Sequence, residues 1–299
     1  MRNDSADSVG QAADAANVAP RRSVWVKADL HLHTAEDRKD VVEMSAREVL
    51  DRAHRLGYRV LAITLHGEVL AEPDLFSYAE ALGIRLIPGA ELRIDGADVV
   101  VLNITCAEAA MTRTFDDLRR LRTVRGTSVF ILAPHPFYRL GGSIGGARLV
   151  EHIDLFDAIE YCHFHLPFFN LNRPAVRIAE AHGLPLLATS DAHRRQTFGR
   201  SYSWLELFEN DNSSADDLPC VQAIFAALRA GRIRRVSPSY GFWSLVSLLS
   251  FLFILHPWRS RLRKRRMRQD RSNRVATIDQ QSSPSFAASE GVLAGDTAG

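Results

Sequence analysis

The feature that most constrains the fold is a pair of histidines at the end of an apolar, strand-like run. Side chains two apart in a strand point to the same face, so His31 and His33 are directed to one point. A second apolar run, residues 184–187, is followed by Asp191 and His193 at the same spacing. Two such pairs are typical of metal ligands, so we expect the fold to bring both strand ends together.

Strand-like and helix-like patterns alternate from residue 23 to residue 236. The predicted strands are residues 24–30, 59–64, 85–88, 92–94 with 98–104 as a hairpin around Asp95-Gly96, 128–133, 156–161, 184–188 and 233–236. The predicted helices are residues 45–56, 72–82, 114–124, 172–182 and 216–228. This alternation is typical of parallel strands with crossover helices, in an open doubly wound sheet or a closed barrel.

The positions of the polar residues favour the barrel. The candidates at or just after the carboxyl ends of predicted strands are His31, His33, His66, Glu91, His135, His163, Asp191 and His193. In a barrel these ends meet in one ring, whereas an open sheet spreads them along a line. We therefore expect an α/β fold with a barrel of roughly seven βα units.

Together with an early acid, these residues form a candidate metal centre. The expected ligands are His31, His33, Asp40, His66, Glu91, His135, His163, Asp191 and His193, with Asp37 as the alternative to Asp40. One ion takes about four to six ligands, so two or three divalent ions are expected. Glu91 and Asp191 suit bridging positions, and we expect Asp191, His193 and Glu91 to be catalytic. A metal-activated water would then attack a phosphoester.

Three cations flank these motifs. Arg38, Lys39 and Arg194 are candidates for holding a substrate phosphate, or they are solvated surface residues.

The motif order resembles a known family. It comprises His31-Leu32-His33, Thr64-Leu65-His66, Gly89-Ala90-Glu91, His135-Pro136 and Ser190-Asp191-Ala192-His193. This set resembles the PHP superfamily, named for polymerase and histidinol phosphatase, over roughly residues 24–236. The resemblance implies a distorted (β/α)7 TIM-like barrel, two or three ions of zinc, manganese or iron, and hydrolysis of phosphoesters by a stand-alone PHP-domain enzyme.

The resemblance also implies a distribution of ligands. One ion would be held by His31, His33, Glu91 and Asp191; a second by Glu91, His135 and His163; and a third by Asp40, His66 and His193. Two departures from the family pattern concern this third ion. Leu65 stands where the family has an acid before the lone histidine, and the segment 35–40 leaves the register of the early acid open between Asp37 and Asp40.

The two ends of the chain differ in composition from the predicted barrel, residues 23–237. Residues 1–22 read as a disordered extension and residues 238–258 as an apolar segment, followed by a basic and then low-complexity tail, 259–299. Residues 259–274 carry a net charge of +8, so the remainder carries −6 against an overall charge of +2.

The apolar segment is short for a membrane span and has basic flanks. A helix lying on the anionic inner face of the cell membrane is therefore expected. A spanning helix, a helix packed on the barrel, and nucleic-acid binding by the basic run are the alternatives. Three cysteines without a paired spacing indicate a reducing, cytoplasmic location.

The sequence thus predicts a metal-dependent phosphoesterase acting on a phosphomonoester, nucleotide or oligonucleotide. The alternative is a catalytically weak or inactive PHP-like metal-binding domain that serves as a membrane-tethered binding module. The oligomeric state is left open.

Overall fold

A computed structural model of the chain describes residues 22–138, 142–208 and 218–241. Its strands are β1 Ser23–Leu32, β2 Tyr58–His66, β3 Arg85–Ile94, β4 Ala97–Leu102, β5 Phe130–Ala133, β6 Ala158–Glu160, β7 Leu186–Leu187, β8 Tyr202–Phe208 and β9 Ile233–Val236. Its helices are α1 Ala46–Arg55, α2 Pro73–Ala81, α3 Cys106–Met111, α4 Phe115–Arg125, α5 Gly146–Glu151, α6 Arg173–His182 and α7 Val221–Arg229.

In the described part, all the strands belong to one sheet in the order β7-β6-β5-β4-β3-β2-β1-β8-β9. The sheet curves until the segment after β7 returns to β1, where Leu32 and Ala192 form a parallel bridge. A second contact closes the sheet at β8, the neighbour of β1, where the hydroxyl of Ser203 donates to the carbonyl of Ala188, the residue after β7. The fold is therefore an α/β, nearly closed, distorted TIM-like barrel, as the sequence predicts.

The expectation of parallel strands with crossover helices is correct for only part of the sheet. The pairs β1–β2, β2–β3, β5–β6 and β6–β7 are parallel, but β4 runs antiparallel to both of its neighbours. The reason is the predicted hairpin between β3 and β4, in which Asp95 and Gly96 both have positive φ, of 46° and 83°. Such a turn reverses the chain without a crossover helix.

Apolar residues fill both faces of the sheet. Inside the barrel, β-strand residues such as Leu30, Ala62 and Leu132 pack with Phe225 and Leu228 of α7, which closes the interior. The other helices pack in two hydrophobic clusters, one containing residues of α3–α6 and the other containing residues of α1 and α2. Because both faces of the parallel strands are buried, the polar residues are left to the strand ends, where the site lies.

Most predicted helices agree with the structure, with one correction. Helix α1 begins after Ser45, which forms a capping box with Glu48. The helix predicted over 216–228 begins later, at Val221, because Pro219 precedes it and Cys220 caps it. The sequence analysis did not predict α3, α5 or β8.

The chain divides into two units, residues 1–240 and residues 241–299. Among the described residues, no helix is long and apolar enough to cross a membrane. The predicted apolar segment lies outside the described residues except for positions 238–241, and the disordered extension and basic tail lie outside them apart from residue 22.

Candidate metal centre

Two of the predicted motifs are joined directly by the backbone. The amide of His33 donates to the carbonyl of Ala192 at 3.2 Å, and the amide of Asp191 donates to the carbonyl of His31 at 2.9 Å. Asp29 reinforces the junction, since its carboxylate accepts from the amide of Ser190 at 3.0 Å. Burial raises the pKa of Asp29 to about 7. The strand ends thus bring both pairs of site residues together.

Four side-chain atoms converge at the centre of the site. The Nε2 atoms of His31 and His33 face Oε2 of Glu91 and Oδ1 of Asp191, at 3.6 Å for His31 and 3.3 Å for His33. Both Nε2 atoms are buried and lack a hydrogen-bond partner. Ligands of a tetrahedral ion at about 2.1 Å lie roughly 3.4 Å apart, so these four atoms have the spacing of a metal's ligand set.

A second group of imidazoles surrounds His33. Its ring stacks on those of His66 and His193, with centroids 4.3 Å and 4.4 Å away. Nε2 of His66 lies 3.2 Å from Oε2 of Glu91, and Nε2 of His193 lies 3.1 Å from Oδ2 of Asp40. The ligand atoms of these three histidines are close enough to share an ion.

Two further histidines lie on the other side of Glu91. Nε2 of His135 is 3.1 Å from Oε1 of Glu91, so the two oxygens of this carboxylate face different histidines. His163 groups with Glu160 and Cys162 rather than with His135. All nine expected ligands therefore lie in one region, with His163 at its margin.

Carboxylates behind the histidines orient the rings. Nδ1 of His31 donates to Glu160 at 2.9 Å. Nδ1 of His33 and Nδ1 of His66 both donate to Oδ2 of Asp37, at 3.3 Å and 2.7 Å. With the proton held on Nδ1, the Nε2 atom of each ring is left free to bind a metal.

The sequence left open whether Asp37 or Asp40 is the early acid of the site, and the structure places both acids beside site histidines. Asp40 faces His193, whereas Asp37 is buried behind His33 and His66. Leu65 packs with Leu61 on the outer face of the sheet, away from the His66 ring. Support for His66 therefore comes from Asp37, and the leucine does not remove it.

Charge in the site is balanced between imidazoles and carboxylates. Burial alone would lower the pKa values of His31 and His33, but the surrounding carboxylates raise both well above the usual range. Similarly, Glu91 outweighs burial and raises the pKa of His135 to about 9. Burial would raise the pKa values of Glu91 and Asp191, but the histidines hold both well below the usual range. The site demands positive charge between its nitrogens and oxygens, as protons or as metal ions.

Backbone strain accompanies two of these residues. His135 and Asp191 have φ values of 28° and 43°, in the left-handed region that side chains rarely occupy. Such φ values persist only where the surrounding structure holds them, as the neighbouring strands and site residues do here.

The three candidate phosphate-binding cations are placed differently. The Lys39 ammonium lies against Gly67, next to His66, so closely that a Cβ on the glycine would be 2.6 Å from it. Arg38 extends to Glu68 at 3.6 Å, and Arg194 approaches Glu43 at 4.0 Å.

Glu160 is a site residue that the sequence analysis missed. It is fully buried at the carboxyl end of β6 and holds His31 in place. A signal was present, because an acid that ends an apolar strand just before His163 matches the pattern of the other motifs.

Known proteins resemble this chain in sequence and in fold. A family model described as PHP-associated matches residues 170–233. DNA polymerase III PolC-type of Halalkalibacterium halodurans is 35% identical over 75 residues, which are 24% of this chain and 5% of that protein. The corresponding polymerase of Clostridium perfringens is 35% identical over 77 residues, 25% of this chain and 5% of that protein. The matched region thus spans only about 5% of the curated relatives.

Two solved structures share the fold. A two-domain protein from Bacteroides vulgatus, described as containing a predicted PHP-like metal-dependent phosphoesterase, has a TM-score of 0.54 at 17% identity, covering 71% of this chain and 65% of that one. PsfC from Pseudomonas syringae has a TM-score of 0.50 at 18% identity, covering 77% and 97%.

The curved mixed sheet carries a ring of histidines and acids at its strand ends. Their ligand atoms are close enough to hold metal ions, and nitrogen and oxygen ligands suit divalent metals. With the matches above, the chain carries a domain of the PHP superfamily.

Proposed function

We propose that this protein is a metal-dependent phosphoesterase that hydrolyses a phosphomonoester, a nucleotide or an oligonucleotide. The observation that carries the proposal is the set formed by Nε2 of His31 and His33 with the facing oxygens of Glu91 and Asp191. Nitrogen and oxygen acceptors 3.3–3.6 Å apart repel each other unless a cation lies between them. Such nitrogen and oxygen donors suit zinc, manganese or iron.

Three groups of ligands are proposed for two or three ions. His31, His33, Glu91 and Asp191 would hold the first; Glu91 and His135, together with His163 from the neighbouring group, the second; and Asp40, His66 and His193 the third. The two Glu91 oxygens, which face histidines on opposite sides, support its bridging position. When bound, divalent ions supply Lewis acidity that polarises a phosphoryl oxygen and brings the pKa of water to about 7.

The chain's own residues would orient both the ligands and the substrate. Asp37 and Glu160 accept from the Nδ1 atoms of the histidines, which directs the Nε2 atoms toward the proposed ions. Lys39 is the proposed phosphate contact because its ammonium lies beside the residue that follows His66. Asp191, His193 and Glu91 are proposed as the residues nearest the reacting oxygen.

The likeness to PolC polymerases over the matched segment supports a phosphodiester in nucleic acid as one substrate to test. We therefore retain both monoesters and diesters. The proposed boundaries of the catalytic domain remain residues 23–237, with the apolar segment, 238–258, and the tail, 259–299, acting at a cytoplasmic membrane surface.

The test combines metal content with turnover. The purified full chain is expected to carry at least about one transition metal per molecule. With added manganese it should hydrolyse p-nitrophenyl phosphate, bis-p-nitrophenyl phosphate or a labelled oligonucleotide. A chain that neither retains metal nor cleaves any of these would overturn the proposal. Bound metal without any cleavage would identify the inactive metal-binding alternative.

A further inference from the structure

The loop between β6 and α6 is pinned at its base and projects two phenyl rings. The Asn172 side chain accepts from the amide of Cys162 at 2.8 Å and donates to its carbonyl at 2.9 Å. At the tip, the chain bends at residues 167–168, and the amide of Leu166 donates to the carbonyl of Phe169 across this bend at 2.9 Å. Residues 166–169 are called the loop tip below.

The loop tip exposes adjacent apolar side chains to water. Phe168 is 84% exposed and Phe169 is 58% exposed, and Pro167 beside them is also exposed. Scattered apolar residues on a surface are normal, but two adjacent phenyl rings on a pinned loop form a patch. Such a patch is typical of an interaction surface.

The described chain ends beside this loop. The amide of Tyr240 donates to the carbonyl of His165 at 2.9 Å, and Nε2 of His165 donates to the carbonyl of Ser237 at 3.0 Å. The Tyr240 ring also lies 5.8 Å from that of Phe164. In the sequence, the uncharged run 242–255 follows immediately, and the run 259–274 carries a net charge of +8.

Cations also follow the loop tip directly. Arg173 and Arg177 lie one helical turn apart at the start of α6, and both are exposed. Exposed phenyl rings next to arginines match the interfacial layer of an anionic bilayer, where rings enter the acyl boundary and guanidinium groups meet phosphates.

We propose that the loop tip is a membrane-inserting element, with Phe168 and Phe169 entering an anionic lipid surface. The rings would also suit stacking on nucleic-acid bases. The membrane is favoured over nucleic acid because residues 242–255, which follow Tyr240 in the sequence, carry no charge. Uncharged side chains make no ion pairs with the phosphates of a nucleic acid. The inference is independent of the metal centre, since it uses none of the proposed ligands.

The first experiment compares full-length variants by co-sedimentation with phosphatidylcholine vesicles containing phosphatidylglycerol. The F168S/F169S variant should bind about tenfold more weakly than the wild type, because two phenyl rings no longer leave water. The matched control is M111S/V124S, since Met111 and Val124 are 69% and 81% exposed on other elements. The control should bind within about twofold of the wild type. Unchanged melting temperatures establish that each variant is folded.

A second experiment reports on the position of the tip itself. An NBD fluorophore on F168C, in a C106S/C220S background, should shift to shorter wavelength with anionic vesicles, whereas the same fluorophore on V124C should not. Failure of the wild type to bind vesicles, equal binding by F168S/F169S, or an unshifted NBD spectrum would each overturn the proposal. If F168S/F169S bound vesicles as the wild type does but bound a single-stranded oligonucleotide more weakly, the proposal would also be overturned, and the two rings would be assigned to nucleic-acid binding.

Discussion

His33 is held by acids on both of its nitrogens. Asp37 accepts from Nδ1, while Glu91 and Asp191 face Nε2. Asp37 also accepts from the backbone amide and Nδ1 of His66, so one carboxylate fixes two rings. Burial would raise the pKa of Asp37, but hydrogen bonds from these histidines hold it well below the usual range.

Replacing Asp37 by Asn should therefore weaken metal binding about 10- to 100-fold while leaving the chain folded. The asparagine has nearly the same shape, but its amide group cannot accept from both rings with the charge of a carboxylate. Competition with a chromogenic chelator measures the affinity, and D116N, at an exposed position of α4, is the control. Metal affinity in D37N equal to that of D116N would show that Asp37 does not orient the ligands.

Substitution of Asp191 or His193 by Ala should reduce hydrolysis to background without unfolding the chain. Both residues belong to the site and not to the apolar clusters, and the loss of a ligand removes metal or water activation. Turnover and circular dichroism are measured together. H182A, in the exposed last turn of α6, should keep full activity. Wild-type turnover in folded H193A would remove His193 from the mechanism.

At this scale, the sequence indicated the histidines that the structure brings together better than it indicated the acids behind them. His31 and His33 stand out because their spacing matches a strand face. Asp37 could not be chosen over Asp40, because a loop has no fixed period that would tell which acid points inward. Each acid in fact contacts a different histidine.

At the level of the elements, Asp157 connects helices α4 and α7 to strand β5. It accepts from Nε of Arg229 in α7 at 2.8 Å and from the amide of Ile131 in β5 at 2.8 Å, and it also pairs with Arg122 of α4. Both arginines donate to the carbonyl of Val129 as well. This single carboxylate therefore connects two helices to the sheet.

Asp157→Ala should lower the free energy of unfolding by about 3 kcal/mol, because it leaves two partly buried guanidinium groups without their anion. Urea unfolding measures the change. D154A is the control, since the pair between Arg119 and Asp154 is about half exposed and is expected to contribute less than about 1 kcal/mol. Equal effects of the two substitutions would contradict this role for Asp157.

Strand β8, which was not predicted, shows why the pairing of a strand is harder to predict than its presence. Its pattern was readable, since Ser203, Leu205 and Leu207 are buried and alternate with more exposed residues. Its partner was not, because β8 runs antiparallel to β1 and pairs Val24 with Leu207, across most of the chain. Local periodicity predicts a strand but carries no information about which distant strand it joins.

In the whole molecule, protons and metal ions compete for the same site. Without metal, burial would lower the pKa values of His31 and His33, but their carboxylate neighbours raise them. The ion pairs therefore stabilise the metal-free fold fully below about pH 6.5. That contribution is lost as the pH rises through the raised pKa values. Metal binding has the opposite dependence, since it needs deprotonated imidazoles.

Manganese or zinc should consequently raise the melting temperature more at pH 8 than at pH 5.5, and hydrolysis should fall on the acid side. Differential scanning fluorimetry with metal or with EDTA measures the shift, and activity is followed over the same range. A chain with H54A, an exposed histidine of α1, should behave as the wild type. A metal-induced shift that is equal at both pH values would argue against histidine ligands.

The left-handed backbone at His135 and Asp191 has a consequence for how this protein can change over generations. Glycine adopts such φ values without the cost that a side chain incurs, so glycine at either position relaxes the chain and removes a proposed ligand in the same step. Selection for a sturdier molecule and selection for turnover therefore act in opposite directions at these two positions. In a related protein that no longer needs the proposed activity, we expect glycine at position 135 or 191, because it would stabilise the fold.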